Sequence, residues 1–199
     1  MASGYEGVGG RAMATMDVRM EAIVVGSDDE TLGRVWGMFL GMQGRDTVLT
    51  HLIVEGGAFE RDTLLPFALV NWSSDQRVIL RAGKAEAIAR ATKDAPEDGI
   101  PISRNDPIHA VDARLGHVRG FYVDENGKVS DILINDEVAS RLSMVGVRSV
   151  DDLMPHRIEL NSRIAAMGEL LKPPQAFYEP VELRDEEELL GHHHSGAHH

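Results

Sequence analysis

The chain states one pattern twice. "ETLGRVWGMFL" begins at Glu30 and "ARLGHVRGFYV" at Ala113, so Leu32, Gly33, Val35 and Gly37 return as Leu115, Gly116, Val118 and Gly120, each displaced by 83. Downstream, "THLIV" (50–54) returns as "SDILI" (130–134) and "QRVIL" (76–80) as "HRIEL" (156–160), both displaced by 80. "GKAEAIARATK" and "SRIAAMGELLK" then follow in the same order. Four elements recurring in order at a nearly fixed offset mark an internal duplication of about 80 residues, which restricts the fold to two copies of one small unit.

Each unit reads as β-rich. "GRVWGMFL" and "HVRGFYV" carry the β-branched and aromatic residues of strands. Their shared apolar positions are spaced three, three and two: Leu32/Leu115, Val35/Val118, Met38/Phe121 and Leu40/Val123. The inward face therefore changes phase near Gly37 and Gly120, and a β-bulge is expected there. Asn126-Gly127 within "DENGK" predicts a tight hairpin turn, since both residues accept positive φ. Pro66 cannot donate to a ladder and belongs on an edge or at a bend. The spacing then predicts a short helix after each unit. Ala85, Ile88, Ala89 and Thr92 make the inner face of the first, and Ile164, Met167, Leu170 and Leu171 that of the second.

The predicted core is Leu32, Val35, Leu52, Val54, Leu115, Val118, Ile132 and Ile134. A Pro/Gly/acidic linker, "KDAPEDGIP", separates the copies between Lys93 and Ile102. The expected organisation is a flexible segment over 1–17, a first unit over 18–95, a second over 100–172 and an extended acidic tail over 173–199.

The order LG-x-V strand, turn, LIV strand, "LLPFALV", RV-x-L and short helix, twice over, resembles the PRC-barrel domain. That family includes the cytoplasmic barrel of the photosynthetic reaction-centre H subunit and the C-terminal domain of RimM-type ribosome maturation factors. The resemblance implies a mainly β protein of two tandem small barrels, each followed by a short helix. It also implies docking on other proteins, and it supplies no catalytic residue to carry over.

Charge and composition narrow the function. The chain has a formal net charge of −12, so it repels phosphate backbones, and nucleic acid is not an expected partner. Cysteine is absent, which removes disulfides and thiolate chemistry and suits a reducing compartment. The N-terminal sequence lacks the basic and apolar regions of a secretory signal, and no run approaches the ~18 apolar residues of a membrane span. A cytoplasmic protein is expected. His51, His109, His117 and His156 show no metal-ligand spacing on one helix. No G-x-S-x-G, G-x-G-x-x-G or P-loop pattern occurs. No cofactor, metal or catalytic site is expected, and the ending "GHHHSGAHH" is set aside from fold reasoning.

The candidate protein-contact residues are aromatic. Phe39 and Tyr122 occupy equivalent strand positions, and Trp36, which Arg119 replaces in the second copy, is a third. They form either the seam between the two units or an external patch. Phe177 and Tyr178 lie in "KPPQAFYEPVEL", whose prolines keep it extended; it either straps the protein's own barrels or adds to a partner. The expected function is a non-catalytic scaffold or adaptor subunit in a larger complex, with homo-oligomers also allowed. A ribosome- or RNA-linked assembly factor is the alternative.

Overall fold

The structure is a computed structural model that describes residues 15–59 and 63–163. It is mainly β. The first half runs β1 (Met16–Arg19), β2 (Ile23–Val25), β3 (Thr31–Gln43), β4 (Asp46–Glu55), β5 (Thr63–Pro66), a 3-10 turn (Phe67–Leu69), β6 (Val70–Ser73), β7 (Arg77–Leu80) and α1 (Lys84–Arg90). The second runs β8 (Ile100–Ser103), β9 (Pro107–His109), β10 (Arg114–Val123), β11 (Val129–Asp136), β12 (Arg141–Gly146), a 3-10 turn (Val147–Ser149), β13 (Val150–Met154) and β14 (Arg157–Leu160). Strand β1 begins at Met16, two residues ahead of the expected edge of the first unit.

The two seven-stranded sheets have the same order. One reads β5-β4-β3-β2-β7-β6 and the other β12-β11-β10-β9-β14-β13, with β2–β7 and β9–β14 parallel. The seventh strand of each comes from the other half: β8 pairs with β3, and β1 pairs with β10. Val18 faces Phe121 while Ile102 faces Met38, so the exchange is reciprocal and in equivalent register. Exchanged strand β8 continues the line of β2, and β1 that of β9. β3 is flanked by β2 at Thr31–Arg34 and by β8 at Gly37–Leu40. The halves are therefore intertwined, not two self-contained units.

Two expectations need correction. The sheets are not closed into barrels: among the described residues β5 pairs with β4 and β6 with β7, and no ladder joins β5 to β6. The reason is local. Pro66 ends β5, the 3-10 turn redirects the chain, and Val70 donates back to the Phe67 carbonyl, so β6 leaves in the direction of β7. Gly146 starts the same turn in the second half, where Pro66 does in the first. Of the two expected helices, α1 lies among the described residues and the second falls on residues outside them. The buried side chain of α1 is Ala87, whereas Ile88 is exposed. Two turns docked by their start, with the Lys84 amide donating to Asp28 Oδ2, leave Ala85, Ile88 and Ala89 of the predicted face in solvent, while Thr92 is half-buried and bridges to Leu64.

The main core is one continuous cluster fed by both halves, and all eight predicted core residues lie in it, each at most 1% exposed. The two phase slips are bulges. Register shifts occur between Val35 and Gly37 and between Val118 and Gly120, leaving Trp36 and Arg119 as the extra residues. The hairpin at Asp124–Lys128 forms as predicted, with Gly127 at φ 84 and Asp124 Oδ1 accepting from the Asn126 and Lys128 amides.

Candidate functional site

Two bulges and two hand-overs meet in one place. After β1 the chain crosses from one sheet to the other through Met20 and Glu21, and after β8 through Arg104 and Asn105. Glu21 and Asn105 both adopt φ 70, so the two crossings share one conformation. The Met20 amide donates to the Arg119 carbonyl, and the Arg104 amide donates to the Trp36 carbonyl, at 2.9 and 3.0 Å. Each bulged residue thus offers its carbonyl to the strand arriving from the other half. A bulge re-aims the side chain of its extra residue, which brings Trp36 and Arg119 to the seam.

Three guanidiniums converge there on one residue. Arg119 donates to Glu21 Oε2 at 2.8 Å, Arg104 to Oε1, and Arg34 to the Glu21 carbonyl at 3.2 Å. The Arg104 guanidinium also lies over the Trp36 ring, 4.7 Å from its centroid. The side chains of Arg104 and Arg119 are 36% exposed and that of Glu21 is 43% exposed, so the group is open to solvent. Hydrogen bonds from Arg119 and then Arg104 hold the Glu21 carboxyl below its ordinary range. In a chain of net charge −12, three arginines around one glutamate are a local cationic patch with an aromatic floor.

The other predicted contact residues are placed differently. Phe39 is buried with Ile53 and Leu64, with Trp36 packed against them, and it faces Pro101 of the exchanged β8. Tyr122 is buried and faces Asp17 of the exchanged β1. Both therefore lie along the seam, and of the three predicted contact aromatics among the described residues Trp36 keeps a solvent-facing part. Phe177 and Tyr178 lie outside the described residues.

Beside Tyr122, Asp17 is only 4% exposed. Its Oδ2 accepts from Arg19 at 2.8 Å, and its Oδ1 has no hydrogen-bond partner among the described residues. Burial raises the Asp17 carboxyl above its ordinary value, and Arg19 opposes that rise only in part. Burial likewise raises the Tyr122 phenol, with the Asp17 charge adding to it.

One further cluster has the composition of a nucleophile with its base. Ser103 Oγ is 3.5 Å and Asp106 Oδ2 2.9 Å from the same nitrogen, His156 Nδ1. A relay needs the serine on one ring nitrogen and the carboxylate on the other. Here both compete for Nδ1, and Asp106 Oδ2 also accepts the Ser103 amide at 2.6 Å. The His156 amide donates to the Pro101 carbonyl. The cluster braces the turn after β8. Among the described residues no group of three or more His, Cys, Asp or Glu is arranged to hold a metal ion. No helix among them is long and apolar enough to cross a membrane. No family model and no curated protein matches this chain.

Sequence reasoning reached Trp36 and Arg119 but missed Glu21 and Arg104. The available signal was the alignment of "VRMEA" with "ISRND" at an offset of 84, just upstream of the first match. It is weak because none of those five positions is identical.

Proposed function

We propose that this chain is a non-catalytic adaptor of PRC-barrel type that docks on a protein partner through the Trp36–Arg104–Arg119 patch at its seam. The observation that carries the reading is the stacked Arg104–Trp36 pair beside Arg119, open to solvent on an otherwise acidic chain. Tryptophan and arginine are the residue types that most often dominate binding energy, and they do so from rigid, partly desolvated settings. Here the backbone under them is fixed by two bulges and by strands from both halves. A rigid patch loses little conformational freedom on binding. The charge of the patch points to an acidic surface or segment on the partner.

The patch is too small to track a nucleic acid backbone. A protein making roughly 6–10 phosphate contacts owes its affinity to as many cations; this patch has three, already facing a carboxylate. The test compares wild-type chain with Trp36→Ala and Arg119→Glu as baits in extract of the native cells. Partners recovered by the wild type and lost by both folded variants support the reading. Partners recovered equally by all three baits reject the patch. Tight, salt-sensitive RNA binding by the full chain would replace the adaptor with an assembly factor.

A further inference from the structure

We propose that the acidic segment 179–188 of this same chain docks on the patch of Arg34, Arg104, Arg119 and Trp36, and so covers the adaptor surface until a partner displaces it. The proposal rests on the adaptor reading for the partner, but not for the intramolecular contact itself.

The charges are complementary and unevenly matched at the seam. Each guanidinium has five N–H donors, and Glu21 supplies two carboxylate oxygens and a carbonyl, so most donors of the three arginines are left to other acceptors. The segment "EPVELRDEEE" carries Glu179, Glu182, Asp185, Glu186, Glu187 and Glu188 against one Arg184. It is the densest run of acid in the chain. Reach is not limiting. Glu179 stands sixteen residues beyond Arg163, the last described residue, and an extended chain of that length spans about 50 Å. A folded body of this size has a radius of gyration of only about 15 Å.

Tethering makes weak contacts sufficient. Exposed ion pairs contribute little one at a time. Being joined in one chain, however, can hold a segment at an effective concentration on the order of millimolar, so a site of millimolar affinity is filled about half the time. Occupancy of that order leaves the surface available to a tighter partner, as a regulated adaptor requires.

Trp36 reports the contact directly. The chain has two tryptophans, and Trp72→Phe leaves Trp36 as the single fluorophore. Acrylamide quenching is measured on the full-length Trp72→Phe chain with its native tail. It is repeated with Glu182→Gln, Asp185→Asn, Glu186→Gln, Glu187→Gln and Glu188→Gln together, at about 0.01 M and about 1 M salt, where the screening lengths are ~30 Å and ~3 Å. The native tail should shield Trp36 at low salt, and that protection should be lost at high salt. It should also be lost in Arg34→Glu, a change at an exposed side chain that spares the Arg104 and Arg119 contacts. Equal quenching of native and neutralised tails at low salt overturns the proposal. Protection that grows with protein concentration also overturns it, since the tail of a second copy would then be the occupant. No partner is present in this assay, so a negative result leaves the adaptor reading to its own test.

Discussion

A single methyl group at residue 120 should report on the strand exchange. A Cβ built on Gly120 would sit 2.4 Å from the Val18 carbonyl oxygen and 2.9 Å from the Arg19 Cα, both on the exchanged β1. Ordinary carbon–oxygen contacts are about 3.3–3.6 Å, so Gly120→Ala requires β1 to retreat by roughly 1 Å. Two responses bound the cost. If β1 detached, Met16, Val18 and Met20 would leave the core, at about 1.5–3 kcal/mol each, which approaches the whole stability of a domain. If β1 shifts and stays, the cost is that of overpacking, about 1–3 kcal/mol. The second is cheaper, so it sets the outcome, toward its upper end because the obstruction is backbone. With a urea dependence of about 2 kcal/mol per M, the midpoint should fall by roughly 1–1.5 M. Gly37→Ala meets the Ile102 carbonyl of β8 at 2.8 Å and should cost less; Gly146→Ala meets nothing closer than 3.8 Å and serves as the control. Equal midpoints for all three variants would refute the exchange of β1 and β8 as the reason for these glycines.

The remaining expectations use the same intertwined core. A protease site placed within 93–99 should be cleavable without separating the halves, and the nicked protein should elute as one species and unfold in one transition; two independent transitions would mean the halves are separable. Leu115→Ala, at a position 1% exposed, should lower stability by about 2–5 kcal/mol in urea unfolding, and an unchanged midpoint would place Leu115 outside the core. Asp17 keeps its proton to a higher pH when folded than when unfolded, so its contribution to stability is greatest at acid pH and declines as pH rises through its folded value. Asp17→Asn should therefore flatten the fall in melting temperature above the ordinary carboxylate range, and a wild-type-like slope would refute that.

What was legible in the sequence was the part governed by local pattern. The repeat, the Asn126-Gly127 hairpin, the bend at Pro66 and the phase slips at Gly37 and Gly120 each follow from side-chain periodicity or from a residue with restricted backbone freedom. Partner choice between strands does not follow from either. A four-residue strand such as β1 has the same apolar pattern whether it pairs within its own half or across, and the deciding contacts are close backbone approaches to Gly37 and Gly120. Helix α1 failed for a related reason. Its periodic face was real in sequence, but the Asp28 anchor at its start fixed which side met the core. The seam patch was half legible: Trp36 stood out by type and Arg119 by replacing it. Glu21 and Arg104 took on meaning only when the crossings brought residues 83 and 98 apart in sequence together.

The patch also shows what joining two copies in one chain permits. In a symmetric pair of identical units every contact across the axis is made twice, so a carboxylate facing two arginines on one side only cannot arise. Here the positions equivalent by register are Met20 with Arg104, Glu21 with Asn105, and Trp36 with Arg119. Met20 is buried whereas Arg104 reaches Glu21 and stacks on Trp36, and Asn105 takes the turn of Glu21 without its charge. The glycines that admit the exchanged strands, Gly37 and Gly120, are identical in both halves, because the backbone exchange demands the same space twice. The side chains at the crossing are free of that demand. The scaffold is symmetric where it must close and asymmetric where it faces solvent, which concentrates cation and aromatic on one seam of an acidic protein.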